Sequence, residues 1–129
     1  MKKLNGLLIN PFTQRIEQVQ FNQNDLESKY TLLNCRLIDA IPMPNGDAIY
    51  FNDEGLFEEA DTPYSNQEGL AAFFIEGITA APIAGLGLVV GTVIDTGDDY
   101  HCKSTTFDFV DKLSFGIMKK EYWREKGYL

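Results

Sequence analysis

The sequence predicts a single α+β domain: a mostly antiparallel, twisted sheet of about five to seven strands, one helix in the N-terminal half and a short helix near the C-terminus. Three observations predict it. The chain has 129 residues, 44% of them hydrophobic and 12% aromatic, which is one domain's length with enough apolar surface to bury a core. Short apolar runs recur between turn signals such as Asn45–Gly46, as strands of an antiparallel sheet do. In the N-terminal half, a single stretch carries both a cap and a helical repeat.

The first strand is "LNGLLI" (Leu4–Ile9), and "NPFTQ" supplies the turn after it. "RIEQVQF" (Arg15–Phe21) alternates around Ile16, Val19 and Phe21, so the two segments form an opening hairpin. The alternation slips at Glu17–Gln18, which predicts a bulge or an edge strand. Next, Asn24 is placed as an N-cap, with Glu27 three residues on as in a capping box. Leu26, Tyr30 and Leu33 recur at helical spacing behind it, and Asn34 can end the helix in a left-handed conformation.

Arg36 to Phe57 reads as a small meander, with turns at Asn45–Gly46 and Asn52–Gly55. Glu58 to Glu68 is polar, acidic and aperiodic, so it is expected to be a loop. The continuous apolar run Gly69–Ile78 suits a buried strand or a short buried helix, and the turn-like "TAAPIAG" after it favours the strand. Leu86 to Ile94 is nearly unbroken and valine-rich, as a central strand covered on both faces would be. "DTGDD" turns the chain and "YHCKSTT" returns as an antiparallel partner. Thr105 or Thr106 then caps a short helix, with Phe107, Val110 and Leu113 expected inward. "SFGIM" is a last strand or a continuation of that helix. The tail from Lys112 to Leu129 carries five basic and two acidic residues, a reversal of sign in an otherwise acidic chain.

The net charge of −8 argues against direct binding to nucleic acid, which needs clustered Lys and Arg to displace counterions from phosphate. Instead it points to solubility and to a partner protein with a basic surface. No apolar run is long enough to cross a bilayer, so no membrane association is expected. "MKKLNGLLINPF" opens like a signal peptide but is cut short by Asn10 and Pro11, so a cytoplasmic location is expected. Two cysteines far apart, Cys35 and Cys102, read as reduced thiols. The oligomeric state is left open.

"IAGLGLVVGTVIDTGDD" (Ile83–Asp99) poses the main chemical question, because Gly85, Gly87 and Gly91 could cradle a phosphate. A dinucleotide turn needs its third glycine one residue earlier and a helix immediately after, and a Walker loop needs Gly-Lys-Ser/Thr. None of these is present, so the segment reads as scaffold. If a ligand binds at all, Gly85, Gly87 and Gly91 with Asp47 and Asp53 are the residues placed around it. Cys35, His101 and a carboxylate make a poor nucleophile–base set, since His101 and Cys102 are adjacent on a strand and point to opposite faces. No metal site and no cofactor are implied: Asp95, Asp98 and Asp99, and Asn52, Asp53 and Glu54, read as solvated hairpin tips that do not match a calcium loop. No catalytic residue is assigned. Tyr122, Trp123, Arg124 and Tyr128 in the tail, with Glu58, Glu59 and Asp61 in the acidic loop, form the expected interaction patch, because Trp, Tyr and Arg dominate interfaces.

"LLINPFTQRIEQVQF", the helix before "LLNC", "PNGDAIYFNDEGLF" and "PIAGLGLVVGTVIDTGD" occur here in order. Together they resemble a small domain of unknown function found in phages, plasmids and conjugative elements. Asn10, Pro11 and Phe12, then Asp47 to Gly55, then Pro82 to Gly91 occupy the family's motif positions, and the similarity covers most of residues 4–113. The acidic loop and the basic-aromatic tail depart from it. The family brings no activity with it, so no catalytic residue is carried over. What the resemblance implies is an accessory protein of a mobile element. With the charge, this predicts a non-enzymatic binder, such as an acidic inhibitor or nucleic-acid mimic directed at a basic host protein. The alternatives are a small-ligand or nucleotide binder and a small hydrolase using Cys35 or a carboxylate pair.

Overall fold

The computed structural model describes residues 2–53, 70–93 and 95–118. Among these, nine strands form two sheets. In chain order they are β1 (Lys3–Asn10), β2 (Arg15–Asn22), β3 (Ile38–Pro42), β4 (Asp47–Asn52), β5 (Leu70–Ile75), β6 (Ile83–Ala84), β7 (Gly87–Thr92), β8 (Asp99–Tyr100) and β9 (Leu113–Met118). One helix, α1 (Leu26–Leu33), lies between β2 and β3. The larger sheet runs β2-β1-β7-β4-β3, with β8 also pairing β7, and the smaller runs β6-β5-β9. Every pairing is antiparallel.

The larger sheet is covered on both sides. Leu7, Ile9, Ile49 and Val89 on one face pack against Phe73, Ile75 and Ile83 of the smaller sheet and against Phe109. Leu4, Leu8, Phe21, Leu88 and Val90 on the other face pack against Leu33 of α1. This explains the unbroken apolar run in β7: successive residues feed opposite cores, so no position is left for a polar side chain. It also explains the irregular alternation in β2. Ile16 supports the core between the sheets while Val19 and Phe21 support the helix-side core. The ladder itself is continuous from Lys3↔Asn22 to Asn10↔Arg15. Of the two expected readings, a bulge or an edge strand, β2 is the edge strand, with a regular ladder and both faces used.

The sheet-rich character and the N-terminal-half helix are as the sequence predicts, with more strands than the range expected. Four details differ. The N-cap is Asp25, one residue after the expected Asn24, and its side chain accepts from the Glu27 amide. Asn24 instead adopts a positive φ of 55° and bonds to a distant loop described below. The helix end is as expected, with Asn34 in the left-handed region. Leu26 is exposed, not inward. Finally, the short C-terminal helix is a single 3-10 turn, Thr106–Phe109, capped by a reciprocal Thr105–Asp108 box. So brief a turn directs one large side chain inward, and Phe109 takes that place; Phe107 and Val110 are 82% and 68% exposed. Leu113 does pack on the core, but from β9. "LAAFFI" is a buried strand, β5, and "SFGIM" lies in β9.

Candidate functional site

Two buried carboxylates organise the end of the molecule where β7 hands over to residues 99–104. Asp99 begins β8 and is 6% exposed. One of its oxygens accepts from Lys29 Nζ at 2.7 Å and from the Asn24 amide at 2.9 Å. In return the Asp99 amide donates to Asn24 Oδ1. Lys29 is itself only 3% exposed, and its ammonium also sits 4.8 Å from the centroid of the Tyr50 ring. Taking both charges out of water is costly, and that cost is offset only because the pair is tight and its remaining bonds are filled. Burial, and then the charge of Asp99, push the Tyr50 phenol above its ordinary 10.0.

Asp47 begins β4 and is 2% exposed. Its carboxylate accepts from the Lys103 and Ser104 amides and from Ser104 Oγ at 2.6 Å. Asn45 completes the cage: its side-chain oxygen takes the Asp47 amide and its Nδ2 reaches Ser104 Oγ. The donors are neutral peptide and hydroxyl groups. Beside this cage, burial and secondarily the charge of Asp47 push the Cys102 thiol above its ordinary 9.0, a shift only partly opposed by a backbone hydrogen bond. That makes it a weaker nucleophile than an ordinary thiol at neutral pH.

Of the residues expected around a ligand, the structure brings together two separate groups. Asp47 and Gly91 are cross-strand partners at one end of the β4–β7 ladder. Gly87 pairs with Phe51 at the other end, where Gly85 lies just before β7 and the exposed Asp53 just after β4. The two ends are separated by roughly 14 Å, four residues of strand. The glycine positions are filled by protein. A Cβ at Gly91 would lie 2.1 Å from the His101 carbonyl oxygen, and one at Gly87 would lie 2.6 Å from the Phe73 ring. The Gly85 amide donates to Ala71. A strand, β7, follows these glycines where an anion-binding loop would have a helix N-terminus. The scaffold reading of this segment therefore has a physical basis: its small residues admit a crossing backbone and a packed ring.

Cys35 packs against the helix-side core and Cys102 against the core between the sheets, on opposite faces of the larger sheet, and neither is in a disulfide. His101 Nδ1 accepts from the Asn5 amide at 3.0 Å, and the Cys102 amide donates to the Asn5 carbonyl. These bonds pin residues 101 and 102 against β1. Among the described residues no three His, Cys, Asp or Glu side chains gather where they could hold a metal ion. Asp99, expected at a solvated tip, is corrected to an interior group, because Lys29 supplies a counter-charge from another element. Glu54, Glu58, Glu59, Asp61, Tyr122, Trp123, Arg124 and Tyr128 lie outside the described residues.

The Asn24–Asp99 bonds have a second consequence. They fasten the β7–β8 turn to the start of α1, and Asn24 Nδ2 also donates to Asp98 Oδ1 at 3.1 Å. Asp25 and Glu27 on the helix side thus share one end of the molecule with Asp95 and Asp98 on the turn side. Elsewhere, Asn5, Leu7, Gln18, Cys102, Thr105 and Thr106 line a cleft of about 290 Å³, with no charged side chain among the described residues that line it. Another, of about 250 Å³, lies between Met43, Glu76, Ile78, Asp108 and Lys112. No helix among the described residues is long and apolar enough to cross a membrane.

Sequence reasoning missed Lys29 and the role of Asp99. A signal was present: Lys29 stands four residues before the buried Leu33, on the face of α1 that turns inward. A family model for a domain of unknown function, DUF3846, matches residues 1–112. No curated protein and no solved structure gives a significant match.

Proposed function

The chain belongs to that family, and we propose that it is a non-enzymatic accessory protein of a phage or other mobile element, working in the host cytoplasm by binding a protein with a basic surface. One observation carries this reading: in a chain of net charge −8, bonds from Asn24 to Asp98 and Asp99 fasten the turn that carries Asp95 and Asp98 to the start of α1, which carries Asp25 and Glu27. Acids fixed by a scaffold present a constant field to a partner without ordering cost on binding. Inhibition of a basic, nucleic-acid-handling protein by imitation of its polyanionic ligand fits this arrangement.

The experiment is affinity capture from host lysate on the immobilised full chain, with elution by a salt gradient. A parallel column carries Asp25→Asn, Glu27→Gln, Asp95→Asn and Asp98→Asn combined. The asparagine at position 25 keeps the helix cap. A specific protein released by salt from the first column and lost from the second supports the reading. Equal retention on both columns, or no specific protein on either, rejects it.

A second reading, small-ligand binding, has the 290 Å³ cleft in its favour. Its neutral amide, hydroxyl and thiol lining suits an uncharged polar molecule. A thermal-shift screen of nucleosides, sugars and nucleotides tests it, because a bound ligand raises the melting temperature by mass action.

A further inference from the structure

The larger sheet ends in two edges, and they are finished differently. At β3, the bonds Asp53 N–H to Leu37 and Met43 N–H to Asp47 set which residues face β4. Bonded and unbonded pairs alternate along an antiparallel ladder, so Ile38, Ala40 and Pro42 turn their peptide groups outward. Pro42 has no N–H, and the Ala40 N–H is taken by Asp39 Oδ1 at 2.8 Å. That edge is blunted.

At β2 the Gln23 amide donates to Lys2, so the same alternation turns Ile16, Gln18, Gln20 and Asn22 outward. The Asn22 N–H is taken by Ser28 Oγ at 3.0 Å. Ile16, Gln18 and Gln20 keep outward N–H and C=O groups with no partner among the described residues. The strand carries no proline, no lysine and no bulge, the usual devices against edge pairing. These three outward groups are symmetric about Gln18.

We propose that β2 is a dimer edge: two copies of this chain pair antiparallel about a two-fold axis through Gln18, joining their larger sheets into one. Ile16 meets the partner's Gln20, and Gln18 meets the partner's Gln18, so the outward peptide groups of Ile16, Gln18 and Gln20 all find their counterparts. Any other axis along this strand leaves some of them unpaired. The same register sets Glu17 opposite the partner's Val19 and Arg15 opposite the partner's Phe21, so no like charges face each other. Two-fold pairing of one patch with itself is the commonest form of protein assembly. The surface is distinct from the acidic end, so the inference stands or falls independently of the partner-binding reading.

Analytical ultracentrifugation of the full chain tests it, at an ionic strength where a screening length of about 8 Å damps repulsion between two acidic copies. The wild type is expected at twice the chain mass at high concentration, falling towards the single mass on dilution. Gln18→Lys sets like charges across the axis, and Gln18→Pro removes the central N–H without touching the bonds to β1. Both should halve the mass while leaving the circular dichroism spectrum and melting temperature near those of the wild type. If proline disturbs the fold, the lysine variant alone decides. Gln18→Cys, in a chain with Cys35→Ala and Cys102→Ala, should form a disulfide-linked dimer, because facing Cα atoms in a bonded pair lie about 5.5 Å apart. Gln20→Cys in the same background should not. A wild type that stays monomeric at every concentration, or a dimer that survives Gln18→Lys, overturns the proposal.

Discussion

Asp99 and Asp47 are both buried carboxylates, both lie at the same end of the β4–β7–β8 ladder, and both tie down residues 99–104. Their partners differ. Asp99 is answered by a full charge, Lys29, which arrives from α1 seventy residues earlier in the chain. Asp47 is answered by neutral donors, two backbone amides and a hydroxyl from residues 103–104, braced by Asn45 in its own turn. The contrast teaches where each carboxylate's stabilisation comes from. The ion pair sits under a helix in an apolar core, where only an opposite charge can offset desolvation. The cage is built around a turn, where the chain's own peptide groups converge without any cation.

The sharpest way to break the comparison is to remove the cation. Lys29→Met leaves Asp99 buried and unpaired, and the expected loss is about 3–5 kcal/mol of unfolding free energy by urea titration. Adding Asp99→Asn should restore most of it, since the amide oxygen can still accept from Asn24. If the single variant is as stable as the wild type, the pair contributes nothing net. Removing the carboxylate at the other site should cost less. Asp47→Ala strands the Ser104 amide and hydroxyl, and about 2–3 kcal/mol is expected from the lost acceptor. Asp47→Asn, which keeps one acceptor oxygen, should fall between that variant and the wild type. The Ser104 amide should lose hydrogen-exchange protection in Asp47→Ala but not in Lys29→Met, which separates the two anchors.

Gly91 joins the two regions, because the His101 carbonyl crosses directly over its Cα. Gly91→Ala requires the backbone between Asp99 and Asp47 to move, at an expected cost of about 1–3 kcal/mol. Exchange protection should fall at both anchors. Gly87→Ala meets the outer edge of the Phe73 ring, which can tilt, so the smaller loss is expected there. Greater damage at position 87 than at 91 would show that the crossing strand is not held as described.

How much of this was legible depended on how local the determinant was. The hairpin at Asn45–Gly46, the left-handed end at Asn34 and the central run in β7 were readable because a few adjacent residues determine each one. Asn24 misled for a physical reason. It has the composition of an N-cap, but its side chain and amide are taken by Asp98 and Asp99, so the neighbouring Asp25 caps instead. Phe107 and Val110 misled because helical spacing was applied to a segment that makes only one 3-10 turn. The partners of Asp47 and Asp99 were not legible at all. Asp99 looks like a solvated turn residue and Asp47 like a ligand-facing one until the fold brings Lys29 to the first and residues 103–104 to the second.

The smallest effect, and the finest test of the comparison, lies in alkaline solution. Each aspartate stands beside one group held above its ordinary value, Tyr50 near Asp99 and Cys102 near Asp47. In both cases burial is the larger cause and the aspartate's charge the smaller. A raised value means that the folded chain holds the proton more tightly than the unfolded chain does. The resulting stabilisation is complete below the ordinary value and is lost as pH rises through the raised one. Stability should therefore begin to fall above about pH 9, the thiol's ordinary value, and fall more steeply above about pH 10, the phenol's. Cys102→Ala should flatten the first part of that decline and Tyr50→Phe the second, in urea midpoints measured from pH 8 to 11. Curves for both variants that run parallel to the wild type would mean that water reaches the phenol and the thiol freely, so neither aspartate's surroundings are as dry as their burial implies.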